Sequence, residues 1–251
     1  MADVTARFLD RADDYDRARP RYPDAAIDHV IAAAGLAVED PVVDVGAGTG
    51  LSTIRFVEAG HPTTLVEPNA AMVALARERF GDRARIVKTR AEATTLGDAS
   101  ASLVAAAQAF HWFDADGFAK EVRRILRPGG HVALFWNERR LEDTAFLRAY
   151  ESFLVTWGID YLAVKASYQS PVAMTTVFGA PPPEPTLFEN LQHLDRDGLR
   201  QRIQSCSYIP KADHPKYGAM QAGIDALFDA HADDGRVTLV YDTTVYLARP
   251  V

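Results

Sequence analysis

Val42-Val43-Asp44-Val45-Gly46-Ala47-Gly48-Thr49-Gly50 decides the fold of this 251-residue chain. A short, mostly apolar run reads as a buried parallel strand. It leads into three glycines spaced two apart, which let the backbone turn tightly and approach a ligand that a Cβ would push away. Leu51 to Ala59 holds no Gly or Pro, so a helix can follow with its first N–H groups aimed back at that ligand. Strand, glycine loop and helix open a nucleotide-binding α/β domain. A dinucleotide site requires Gly-x-Gly-x-x-Gly. Counted from Gly46 the third glycine is Leu51, and counted from Gly48 it is Thr53, so neither frame fits a dehydrogenase.

Outward from this loop, Thr63-Thr64-Leu65-Val66-Glu67 reads as a second strand stopped by Pro68. An acid at its end can accept hydrogen bonds from both hydroxyls of a ribose. Asn69 caps a helix with Met72, Val73, Leu75, Ala76 and Phe80 on one face. Arg85 to Lys88 is a third strand, leaving through Thr89-Arg90-Ala91-Glu92. Ser102 to Ala107 is a fourth, ending in Gln108-Ala109-Phe110-His111-Trp112-Phe113-Asp114. Leu126-Arg127-Pro128-Gly129-Gly130 reads as a tight turn into a fifth, His131 to Trp136.

With Asp44-x-Gly46-x-Gly48-x-Gly50, Glu67 and the Arg-Pro-Gly-Gly turn, the chain resembles the class I S-adenosylmethionine (SAM) methyltransferases. The His-Trp-Phe run after the fourth strand resembles their small-molecule branch, which includes trans-aconitate-type enzymes. The resemblance implies a Rossmann-like, mostly parallel sheet of seven strands in the order 3-2-1-4-5-7-6. The last strand would be antiparallel, with helices on both faces and a substrate-lid insertion after strand 5. It implies SAM as methyl donor and S-adenosylhomocysteine as product. Asp44, Gly46, Ala47, Gly48 and Gly50 would form the cofactor loop, with Glu67, Pro68 and Met72 beside the ribose and Ala91 and Glu92 on the adenine. Gln108, Ala109 and Phe110 would border the cofactor. Relatives close over the cofactor's amino-acid end with a Tyr and an Arg, and Tyr15, Arg19 and Arg21 stand in that place here. An Arg fork suits a carboxylate.

The whole of 1–251 reads as one methyltransferase domain, with 1–22 as a cap over the cofactor and 137–185 as the lid. Phe146, Tyr150, Phe153, Leu154 and Trp157 mark an aromatic helix face within the lid. Thr186 to Leu194 and the alternating Val237 to Ala248 supply the last two strands, with helices near 196–205 and 216–230 between them. Net charge is −7, against broad nucleic-acid or anionic-membrane binding. Cys206 is the single cysteine, and the seven histidines lack metal-ligand spacing, so no metal is expected. Residues 1–20 carry charges throughout, without an apolar core, and no apolar run approaches ~18 residues. A cytoplasmic protein is expected.

Methyl transfer from a sulfonium is an in-line displacement that needs a dry, aligned site. Aromatic faces tolerate the sulfonium charge, which suits Phe110, Trp112 and Phe113. His111, with an ordinary pKa of ~6.5, is the expected general base or orienting group. Trp112 and Tyr150 are expected acceptor contacts with His111, and Trp136 and His193 are weaker ones. The expected reaction is SAM-dependent methylation of a small molecule, on a hydroxyl, phenol or carboxylate oxygen. An RNA- or cofactor-precursor methyltransferase and a non-catalytic SAM-binding protein stay open, as does a homodimer.

Overall fold

The computed structural model describes residues 18–163 and 171–251. Tyr15, most of the expected 1–22 cap, and part of the 137–185 stretch lie outside the described residues.

Seven strands form one sheet in the order β3-β2-β1-β4-β5-β7-β6. They are β1 (Val42–Val45), β2 (Thr63–Val66), β3 (Arg85–Val87), β4 (Ala101–Ala107), β5 (Leu126–Arg139), β6 (Thr186–Leu194) and β7 (Val237–Ala248). β1 to β5 pair in parallel, and β7 runs antiparallel to both β5 and β6. This is the expected order and polarity.

Alternation along the central strands divides the core. Leu103, Ala105, Ala133 and Phe135 face one layer, which they share with α1 (Asp24–Ala33) and α2 (Thr53–Glu58). Val104, Ala106, Val132, Leu134 and Trp136 face the other, which they share with α4 (Ala115–Ile125). Between them in sequence, α3 (Ala70–Phe80) is started by Asn69, whose side chain accepts from the N–H groups of Ala71 and Met72.

The Leu126-Arg127-Pro128-Gly129-Gly130 stretch corrects one expectation. It is a bulge within β5 rather than a turn before it. Leu126 pairs with Ala101, the chain loops out at Arg127 to Gly130, and pairing resumes at His131 with Leu103.

Beyond the sheet lies a second core. α5 (Ala145–Trp157), α7 (Arg196–Gln204) and α8 (Tyr217–His231) enclose Leu147, Tyr150, Leu154, Ile203, Met220 and Ile224 against Leu239 and Tyr241 of β7. By contrast, α6 (Pro171–Phe178) places Met174, Val177 and Phe178 in the core beneath α4. The described parts of 137–185 thus pack in two places.

Candidate active site

A cavity of about 770 Å³ opens at the carboxyl ends of β1, β2 and β4, where ligands of open α/β sheets bind. Its floor is the glycine loop. Glu67, immediately after β2, turns its buried carboxylate across that loop. One oxygen accepts from the Gly48 N–H at 2.9 Å and the other from the Asn69 N–H at 2.8 Å. Each oxygen keeps a further lone pair. Burial pushes the Glu67 pKa up, against those two hydrogen bonds.

The three glycines do different work. A Cβ on Gly48 would meet nothing within 4 Å, so its missing side chain is cavity space. A Cβ on Gly46 would stand 2.6 Å from the Ala109 Cβ, and one on Gly50 would stand 2.4 Å from Phe80. Gly46 lets the β4 exit close over the loop, and Gly50 lets α3 pack beneath it.

Asp44 lies fully buried under the loop and does not line the cavity. One of its oxygens accepts from the hydroxyls of Ser52 and Thr53, both at 2.6 Å. It ties the loop to the helix that follows. Burial raises its pKa to about 6, partly offset by those hydroxyls.

Arg90, Ala91 and Glu92 line one wall. Glu92 accepts from the Asp114 N–H at 2.9 Å, joining the β3 and β4 exits. Opposite, Gln108 holds a left-handed φ of 52° at the end of β4, a conformation that costs a non-glycine residue free energy and that clusters at functional sites. Its Nε2 donates to the Asn137 carbonyl at 3.1 Å, and its Oε1 is buried without a hydrogen-bond partner among the described residues. An open space above a glycine, a paired acid and an orphaned amide oxygen fit an adenosine-bearing ligand with many donors.

Of the residues singled out in the sequence, the cavity gathers Arg19, Gly46, Ala47, Gly48, Glu67, Pro68, Met72, Ala91, Glu92, Gln108, Ala109 and Trp112. Several others stand elsewhere. Gly50 is occupied with Phe80. The Arg21 side chain is exposed, and only its backbone carbonyl is anchored, by Asn190 and Asn137. Phe110 and Trp136 are core residues, their rings 6.4 Å apart, with Trp136 also packed on Tyr246. They back Phe113, which does reach the cavity. Tyr150 is fully buried in the second core, under the Arg139 guanidinium. His193 bonds Thr238 at the edge of the sheet.

His111 also misses the cavity lining. Its ring packs 4.7 Å from that of Trp112, and burial lowers its pKa to about 4. The imidazole is neutral near pH 7 and a weaker base than the ordinary imidazole expected for the general-base role.

Sequence reading missed the far wall: Tyr22, Asn137, Arg202 and Tyr241. These come from the segment before α1, the end of β5, α7 and β7, and no local motif joins them. Among the described residues, no three His, Cys, Asp or Glu side chains cluster to hold a metal ion, and no helix is long and apolar enough to cross a membrane.

Residues 43–134 match the family model of a methyltransferase domain. The seven-stranded mixed sheet with helices around it is the Rossmann-like fold of methyltransferase structures, and residues 43–134 are similar to a methyltransferase domain. The chain is 39% identical over 137 residues to an uncharacterized methyltransferase of Mycobacterium bovis, covering 55% of this chain and 54% of the relative. It is 35% identical over 136 residues to an uncharacterized methyltransferase-like protein of Schizosaccharomyces pombe, covering 52% and 50%. The matches thus span about half the length of these curated relatives. A provisionally assigned type II methyltransferase from Anaeromyxobacter dehalogenans superposes with a TM-score of 0.66 at 21% identity, over 92% of this chain and 97% of its own. At that identity the likeness is one of fold.

Proposed function

We propose that the protein transfers a methyl group from SAM to an oxygen of a small-molecule acceptor. The observation that carries this reading is the Glu67 carboxylate, bonded to the Gly48 N–H at the lip of the open glycine loop. Its remaining lone pairs suit the two ribose hydroxyls, and Gly48 beside it offers no side chain to obstruct them. Arg90, Ala91 and Glu92 would border the adenine, and Arg19 the amino-acid end. When bound, SAM supplies a methyl carbon on a sulfonium, which an acceptor displaces in line, leaving S-adenosylhomocysteine.

The chain's part is to exclude water and align. Tyr22, Trp112 and Phe113 present aromatic surface to the cavity, which tolerates the cationic donor. Holding the partners in line supplies ~7–11 kcal/mol of the barrier reduction. A neutral His111 outside the cavity favours an acceptor that needs little help losing a proton. The net charge of −7 argues for a small molecule over a nucleic acid.

A thermal-shift titration with SAM, S-adenosylhomocysteine and NAD tests the donor. A ligand at a hundredfold its Kd stabilises the fold by ~2.7 kcal/mol. Both SAM compounds should raise Tm and NAD should not. Labelled-methyl transfer onto panels of acids, phenols, amines and RNA tests the acceptor; transfer confined to amines or RNA would overturn the oxygen assignment, and SAM binding without any transfer would favour a binding protein.

A further inference from the structure

We infer that Arg202 is an anion seat for the methyl acceptor, so that the acceptor carries a carboxylate or phosphate group. This rests on the methyltransferase reading and names the substrate class for that same site.

Arg202 lies on α7, is 7% exposed and lines the cavity. The half-buried arginines of the same helix pair with acids: Arg196 with Asp229, and Arg200 with Asp225. Arg202 pairs with none among the described residues. Its Nε donates to the Tyr241 hydroxyl at 3.2 Å and its Nη1 to the Cys206 Sγ at 3.0 Å. Cys206 Sγ in turn donates to the Arg202 carbonyl at 3.6 Å, as a thiol does. Its side-chain partners are thus a hydroxyl and a thiol rather than a carboxylate, although Arg202 and Arg19 draw the Cys206 pKa down against burial, and among the described residues no acceptor meets the second nitrogen of the fork, Nη2. A guanidinium does not give up its proton inside a protein. A buried cation with no carboxylate against it is poorly compensated by a hydroxyl and a thiol. A site that keeps one beside a cavity is completed by an incoming anion.

The surroundings orient that anion. The Tyr241 hydroxyl donates to Gln192 Oε1 at 3.2 Å, which turns its lone pair toward Arg202. Arg19 brings a second guanidinium to the same end, held by the Ser205 carbonyl at 3.2 Å. Sheet order separates this seat from the nucleotide. Glu67 and the glycine loop stand at β2 and β1, whereas Asn137 and Tyr241 stand on β5 and β7, across β4. The acceptor's charged group rather than the donor's ribose or adenine meets Arg202.

The test uses the full chain saturated with S-adenosylhomocysteine, with benzoate, succinate, citrate and inorganic phosphate titrated calorimetrically. Benzamide and succinamide serve as uncharged counterparts. At least one anion should bind and its amide should not, and the carboxylate and phosphate arms tell the two chemistries apart. Arg202→Gln should weaken that anion at least tenfold and leave S-adenosylhomocysteine affinity within twofold, with partial recovery in Arg202→Lys. If Arg202→Gln does not fold, Tyr241→Phe, which frees the guanidinium from its guide, should weaken the anion severalfold with the same unchanged cofactor affinity. Anions binding no better than amides would overturn the proposal. So would an equal loss of S-adenosylhomocysteine affinity, which would place Arg202 on the cofactor's own carboxylate. Wild-type protein that fails to bind S-adenosylhomocysteine would instead fail the underlying methyltransferase reading, and this one with it.

Discussion

Replacing Glu67 with Gln separates the two tasks assigned to this carboxylate. In the structure it accepts from two backbone N–H groups, at 2.9 and 2.8 Å. A Gln side chain presents one carbonyl oxygen and one NH2, so one of those donors would face another donor. Leaving a buried donor unsatisfied costs ~1–3 kcal/mol, which should appear as a lower Tm. The ligand-facing loss is separate: a hydrogen bond to a charged group is worth ~1.5–3 kcal/mol, or roughly ten- to 150-fold in Kd. A disturbed loop would also weaken binding, so affinity loss alone proves little. A cycle with 2′-deoxy-S-adenosylhomocysteine resolves this. Calorimetry should show wild type losing at least about tenfold on removal of the ribose hydroxyl and Glu67→Gln losing far less. If both proteins lose equally, the carboxylate does not meet that hydroxyl, and Glu67 is a loop brace only.

Gly50→Ala should destabilise by ~2–5 kcal/mol, because its Cβ would stand 2.4 Å from Phe80 at a φ of +84°, whereas Gly48→Ala should cost cofactor affinity more than stability; urea unfolding and calorimetry on both would refute this by showing equal profiles. Asp44, raised to about 6, favours the folded state when protonated. Its contribution is full below pH ~4 and is lost as pH rises through 6, by up to ~3 kcal/mol. The stability of Asp44→Asn relative to wild type should therefore improve between pH 4 and 7, and a flat difference would contradict the raised pKa. His111, lowered to about 4, works in the opposite sense: its contribution is full above pH ~6.5 and is lost on acidification, by up to ~3 kcal/mol. His111→Gln should thus be the more acid-resistant protein, and wild-type turnover should show no inflection near 6.5 that this variant abolishes. Tyr150→Phe removes a buried hydroxyl that has no hydrogen-bond partner among the described residues; it should be neutral or stabilising by up to ~2 kcal/mol, and a raised acceptor KM would restore Tyr150 to the site.

What the sequence made legible follows from how locally each half of the cavity is encoded. The cofactor half is built at consecutive strand exits, so a strand, a glycine run and an acid at the next strand's end already place Gly48 and Glu67 together. Sheet order follows from the same alternation of strands and helices, with the strict period-two pattern of Val237 to Ala248 marking β7. Even here the residues that look alike in sequence separate only in space. Gly46, Gly48 and Gly50 share one spacing, yet only Gly48 faces open room, because Ala109 and Phe80 occupy the other two approaches. Asp44 reads as a ligand contact and serves as an anchor, because Ser52 and Thr53 turn their hydroxyls down to it. Trp136 and Tyr150 have the chemistry of a substrate wall, but their rings face packed layers whose depth depends on helices far along the chain.

The acceptor half has no such local code. Asn137, Arg202 and Tyr241 are joined only by the pairing of β5 with β7 and the fold of α7 onto β7. Arg202 looks in sequence like one more helix-surface arginine among Arg196 and Arg200. Only its burial, and the lack of any acid against it among the described residues, distinguishes it. A buried guanidinium with no carboxylate among its described neighbours and a cavity on the other side is the electrostatic basis of the proposed anion seat. The donor class is thus written in contiguous residues, whereas the acceptor's charge is written in a contact the protein leaves unmade.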